Sequence, residues 1–139
     1  MATVIRPEVS KRNKYWIGKH RHYELKHFCL QYPEWKKEYD DYGGPSTSLY
    51  SLDNVRTNRS SLDPTAKNAI DRLCVSEKMH LIERTALETD EELRDYILKA
   101  VTEGLSYTTL KSKYDIPCGK DVYYDRYRRF FWLLNKAKP

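Results

Sequence analysis

The last third of the chain carries the clearest alternation of apolar and polar positions. From Lys120 onward, Tyr123, Tyr127, Phe130, Phe131 and Leu134 recur at offsets of three, four and seven, which predicts an amphipathic helix with that stripe turned inward. A shorter helix is predicted ahead of it, over 107–114. Ser106 stands where a helix N-terminus needs a side-chain oxygen, and Gly104 where the preceding helix needs a left-handed stop. Leu105 and Leu110 have the spacing of a hydrophobic staple. Between the two helices, Asp115, Ile116, Pro117, Cys118 and Gly119 read as a turn, because Pro117 drives Ile116 out of helical geometry and Gly119 tolerates any backbone angle. Ile116 is expected to plug the core. Together these signals predict a helix-turn-helix.

Upstream the signals are more mixed. Thr89 followed by Glu92 reads as a capping box, and Leu93, Tyr96, Ile97, Ala100 and Val101 follow at helical spacing. Asp63 as N-cap and Pro64 at the first helical position open a helical stretch to about Leu87. Its stripe is imperfect: Ala66, Ile70, Leu73, Cys74, Leu81 and Ile82 fit one long helix, or two with a break near Val75 and Ser76. Residues 14–31 are aromatic-rich and read as helical, with Trp16, Tyr23, Phe28 and Leu30 as anchors. Pro33 suits the first turn of a further helix ending near Tyr42, on which Trp35 and Tyr39 lie one turn apart. Gly43, Gly44 and Pro45 end it, and the Ser-, Asn- and Thr-rich stretch that follows reads as a linker. The expected fold is all-α, in three parts: a basic aromatic helical segment over 1–42, a flexible polar linker over 43–62, and a helical module with the helix-turn-helix over 63–139. Connections longer than about 15 residues are usually functional or mobile, which favours two small modules over one.

Charge changes this picture more than composition does. The 139 residues are 40% hydrophobic and 32% charged, enough apolar material for a modest core. The formal net charge of +5 is unevenly spread: residues 1–37 carry +6, 38–106 carry −6 and 107–139 carry +5. Basic ends around an acidic middle suit a protein whose ends meet phosphates. The three cysteines, Cys29, Cys74 and Cys118, are odd in number and far apart, which points away from a disulfide framework and toward a reducing compartment. With no apolar run of bilayer length and no hydrophobic export core in the first residues, a cytoplasmic location in a bacterial host and no membrane partner are expected.

Candidate chemistry is sparse. His20, His22, His27 and Cys29 are metal-capable at short spacing, but a helix puts His22 on the face opposite His20 and His27, so they read as surface histidines rather than a metal site. Asp71, Glu77, Glu83, Glu88 and 90–92, with Asp63, read as an exposed acidic face rather than nuclease carboxylates. Cys118 reads as a small buried side chain. No catalytic set, glycine-rich phosphate loop or cofactor motif stands out, so no enzyme, cofactor or metal is expected. On the predicted final helix, Lys120, Asp121 and Tyr124 lie off the apolar stripe where they would reach base edges, while Ser106, Lys111, Lys113, Arg128 and Arg129 would position the phosphate backbone. Most of the aromatic group on that helix belongs to the core, with Trp132 left for a partner.

The order of elements, with the phrase ELKHFCLQYPEW near the start and YYDRYRRFFWLL at the end, resembles the RinA and ArpU group of phage-encoded transcriptional regulators from Gram-positive bacteria. The likeness is strongest over 90–134. It implies a C-terminal segment similar to the DNA-binding end of sigma factors, a part in switching on late phage genes, and a recognition helix carrying Lys120, Tyr124, Arg128 and Arg129. The turn at Pro117, Cys118 and Gly119 is longer than usual for a helix-turn-helix. The expected function is a non-enzymatic, sequence-specific regulator that binds double-stranded DNA, its N-terminal block adding DNA contacts or binding RNA polymerase or another protein. Two alternatives share these features. One is a DNA-packaging adaptor resembling a small terminase subunit, which the aromatic surplus would suit as a homo-oligomer; the other is a phage inhibitor of a host nucleic-acid enzyme with an autoregulatory helix-turn-helix.

Overall fold

The computed structural model describes residues 12–42 and 64–138, and this part of the chain is all-helical. The linker expected over 43–62 and the cap expected at Asp63 lie outside the described residues. The helices are α1 (Lys19–Leu30), α2 (Tyr32–Tyr42), α3 (Pro64–Thr89), α4 (Arg94–Glu103), α5 (Tyr107–Tyr114) and α6 (Lys120–Ala137). Contacts divide the chain into two compact units, one formed by residues up to Gln31 and from Leu81 onward, the other by Tyr32–His80.

The first unit is organised by the stripe on α6. Tyr123, Tyr127, Phe130, Phe131 and Leu134 are all buried, as their spacing predicts. Their rings meet at tilted and edge-on angles, Phe130 with Phe131 at 5.1 Å and Tyr127 with Phe131 at 4.9 Å, the arrangements that aromatic quadrupoles favour. Against this stripe packs α1, which also touches α4, while α4 packs on α5. The residues through which α1 is buried are His22, Leu25 and Cys29. The anchors expected on this helix do not hold. Tyr23 is exposed, Trp16 precedes the helix, and Trp16, Phe28 and Leu30 are only half-buried. An imidazole and a thiol have taken places that a hydropathy reading assigns to large rings.

His22 also departs from the expected surface histidine. It lies 4.8 Å edge-on from Phe131, and burial, helped by nearby Lys26, pushes its imidazole down to about 4. It is neutral at physiological pH. The segment before α1 docks on the same helix: Tyr15 is buried, its ring 5.4 Å edge-on from Trp132, and its hydroxyl accepts a bond from Arg129 at 3.3 Å. Arg21 completes the attachment by donating to Asn135 Oδ1 at 2.7 Å and to the carbonyl of Lys138 at the end of α6.

In the second unit, α2 begins where Pro33 predicts and runs to Tyr42; the Gly-Gly-Pro break expected after it lies outside the described residues. Trp35 is buried, and cations lie over two rings of α2: Arg72 over Tyr39 at 4.1 Å and Lys78 over Trp35 at 5.4 Å.

Two expectations for α3 and its end are corrected. α3 is one continuous helix, but its buried positions are Val75, Met79, Ile82, Thr85, Ala86 and Thr89, a stripe in steps of three and four. Of the residues expected to form the stripe only Ile82 is buried; Ile70 and Leu73 are more than half exposed. Thr89 does not cap the next helix. It ends α3, and its hydroxyl donates to Thr85 O at 2.7 Å. Asp90 instead braces the turn that leads into α4, its Oδ1 accepting from the amides of Glu92 at 3.0 Å and Leu93 at 3.2 Å, while the N-cap of α4 is Leu93, with no side-chain cap bond.

Candidate nucleic-acid interface

The segment 104–137 forms locally as its residues dictate. Gly104 closes α4 at φ 70°, ψ 33°, a conformation open to glycine at little cost. Ser106 caps α5 by accepting from the Thr109 amide at 3.3 Å. After α5, the left-handed residue is Asp115 at φ 50°, whereas Gly119 is extended and serves as N-cap of α6. A short polar side chain tolerates this conformation better than a branched one would. The amide of Ile116 then bonds Leu110 O at 3.3 Å, and Ile116 itself is fully buried beside the equally buried Leu110. The turn 115–119 is thus pinned from inside by Ile116 and from outside by Tyr107, whose hydroxyl donates to Cys118 O at 2.8 Å. The Cys118 thiol is half-buried rather than enclosed, and partial burial, with Asp90 nearby, holds its pKa up.

The residues read as DNA contacts fall into two groups. Ser106 Oγ, Lys111 and Arg129 are engaged within the chain. Ser106 is the cap; Lys111 Nζ donates to Ile116 O at 3.3 Å and stands 3.6 Å from the Asp115 carboxylate; Arg129 is held by Tyr15, and its Nε is buried without a partner. Lys113, Lys120, Asp121, Tyr124 and Arg128 make up the second group. Lys113, Lys120 and Asp121 are exposed and Tyr124 and Arg128 half-buried, and Lys113, Lys120 and Arg128 have no carboxylate at ion-pair distance among the described residues. Lys120, Tyr124 and Arg128 follow at intervals of four and so form one line along α6, with the Lys120 ammonium 5.9 Å from the Tyr124 ring.

Arg126, which the sequence reading passed over, lies between these groups. It donates to Asp90 Oδ2 at 2.9 Å and to Asp125 Oδ2 at 2.6 Å, and the bond to Asp90 holds its pKa up. It therefore ties the turn before α4 to α6 and neutralises Asp125 beside the basic line. Only the adjacency of an Asp and an Arg hinted at this in sequence; the longer partnership needs the fold. α6 has no side-chain cap at Gly119, so its first-turn amides lack a side-chain acceptor at the end where Lys120 and Asp121 project. Comparison with family models, with curated proteins and with solved structures finds no match.

No helix among the described residues is long and apolar enough to cross a membrane.

Proposed function

We propose that this protein is a sequence-specific DNA-binding regulator in which α5, the turn 115–119 and α6 act as a helix-turn-helix, with α6 in the major groove. The observation that carries the reading is the line Lys120, Tyr124 and Arg128 on α6, which flanks the buried stripe and bears cations with no carboxylate at ion-pair distance among the described residues. Lys120 can donate to guanine O6 or N7, Asp121 can accept from cytosine N4, and Tyr124 offers a ring and a hydroxyl to base edges. Lys113 and Arg128 flank them as phosphate contacts, and the open amides at the start of α6 favour a further phosphate there. This role in gene control is what the resemblance to the RinA and ArpU phage regulators implies, late phage genes being the targets in that group.

The test is selection of bound duplexes from a random library, followed by anisotropy measurements on the selected site. Lys120→Gln should lower affinity for that site by roughly 1–3 kcal/mol and relax the preference at one base pair. Arg128→Gln should weaken binding about equally on all sequences. Arg129→Gln, by contrast, should lower stability through its lost bond to Tyr15 with little direct effect on DNA affinity once folding is restored by lower temperature. Failure to recover any preferred sequence, together with unchanged affinity in the first two variants, would refute the reading.

A further inference from the structure

Within the first unit, a cleft of about 190 Å³ opens between α1, the end of α4, the start of α5 and α6. Its walls include Tyr23, Tyr107, Tyr123, Tyr124, Tyr127 and Phe131, with Leu30 and Leu105 among its aliphatic groups. No carboxylate lines it, and its one fixed charge is the ammonium of Lys26, which makes no ion pair among the described residues. The other basic group on the wall, His22, is neutral, so the charge facing an occupant is a single positive one. Tyr123 adds a second feature. Its residue is 1% exposed and its Oη is buried without a hydrogen-bond partner, a state that is unfavourable when nothing relieves it.

We propose that this cleft binds a small aromatic carboxylate, its ring among the tyrosines and its carboxylate accepting from Lys26 and from the Tyr123 hydroxyl. Size suits the class: a cavity of ~150 Å³ accommodates benzene, so 190 Å³ has room for one ring with a small substituent. Charge sets its sign, since an anion meets Lys26 and no opposing carboxylate. The walls set its shape, since a planar ring can offer its face or edge to several tyrosines at once. Position suggests the consequence. The cleft touches Gly104, Ser106 and Tyr107 where α5 begins and Tyr123 and Tyr124 in the first turns of α6, so an occupant bears on the mutual placement of the two helices assigned to DNA. This last step, that the ligand is an effector of DNA binding, rests on the proposed function; the binding site itself does not.

Benzoate is the probe, with benzamide and cyclohexanecarboxylate as controls, titrated into the full chain without DNA and followed by amide chemical shifts in NMR. The expected result is saturable shifts centred on Val101, Gly104, Leu105 and Ser106, with weaker binding of both controls. Lys26→Gln should weaken benzoate binding roughly tenfold, the value of one charge-assisted bond. Tyr123→Phe should melt at the same or a higher temperature, because it removes a hydroxyl that has no bond in the free protein, and yet bind benzoate several-fold more weakly. Absence of saturable shifts, equal binding of benzamide, or undiminished binding by either variant would overturn the site. A second arm measures DNA affinity with and without saturating benzoate. Unchanged affinity overturns the effector role while leaving the site, whereas no DNA binding in either condition counts against the proposed function alone.

Discussion

His22 illustrates how one residue can set a stability profile. In the unfolded chain an imidazole takes a proton near 6.5, whereas the buried His22 does so only at about 4. Between these values the unfolded state binds more protons, so the stabilisation is complete above ~6.5 and is lost as the pH falls toward 4. Chemical denaturation followed between pH 7.5 and 4.5 should show stability decreasing by up to ~3 kcal/mol, with the slope flattened in His22→Phe. A slope unchanged in that variant would place the titrating group elsewhere. At Asp90 the prediction concerns the turn before α4. Asp90→Ala should cost about 1–3 kcal/mol, from the lost turn bonds and the lost partner of Arg126, while Asp90→Asn should recover the part due to the turn. Glu92→Ala, the other half of the expected capping box, should change stability by less than ~0.5 kcal/mol, since its side chain is exposed. Thr89 and Glu92 have the spacing of a capping box, but the Thr89 hydroxyl bonds back to its own helix and the N-cap of α4 is Leu93, which has no side-chain cap bond.

Among the elements, α5 and α6 were legible nearly to the residue, as were the bounds of α3, whereas the buried faces of α1 and α3 were not. On α6 the core positions are large aromatics at strict helical intervals and the surface positions are charged, so composition and periodicity agree. On α1 the core positions are filled by His22, Leu25 and Cys29, while aromatic side chains sit at the edges, so hydropathy pointed at the wrong face. On α3 two apolar series compete. Ala66, Ile70, Leu73 and Cys74 are exposed, whereas Thr85 and Thr89 are buried because their hydroxyls bond back to Leu81 O and Thr85 O. The turn 115–119 provides the test at this scale. Ile116→Ala should destabilise the protein by about 2–5 kcal/mol, as for other fully buried aliphatic groups, and should loosen α5 against α6 before the rest melts. Hydrogen exchange would detect this as earlier loss of protection at 110–123; uniform loss would mean that the turn is not where the two helices are coupled.

At the scale of the whole molecule, residues 12–31 are joined to the C-terminal helices, through Tyr15 on Arg129 and Arg21 on Asn135 and Lys138. Long-range hydrogen bonds of this kind leave no periodic trace, which is why they were not legible in the sequence. Arg21→Ala should therefore lower stability by roughly 1–2 kcal/mol and release the end of α6, measurable as faster exchange at 134–138. The same arrangement engages Arg21 and Arg129 in internal bonds, whereas Lys113, Lys120 and Arg128 have no carboxylate at ion-pair distance among the described residues. If these three contact DNA as proposed, binding depends on salt through them. Plots of log affinity against log salt concentration should be linear for the wild type, with a slope reduced by about 1 for each of Lys113→Gln and Arg128→Gln, while circular dichroism remains unchanged. A salt-independent affinity, or slopes unaltered in both folded variants, would contradict the account.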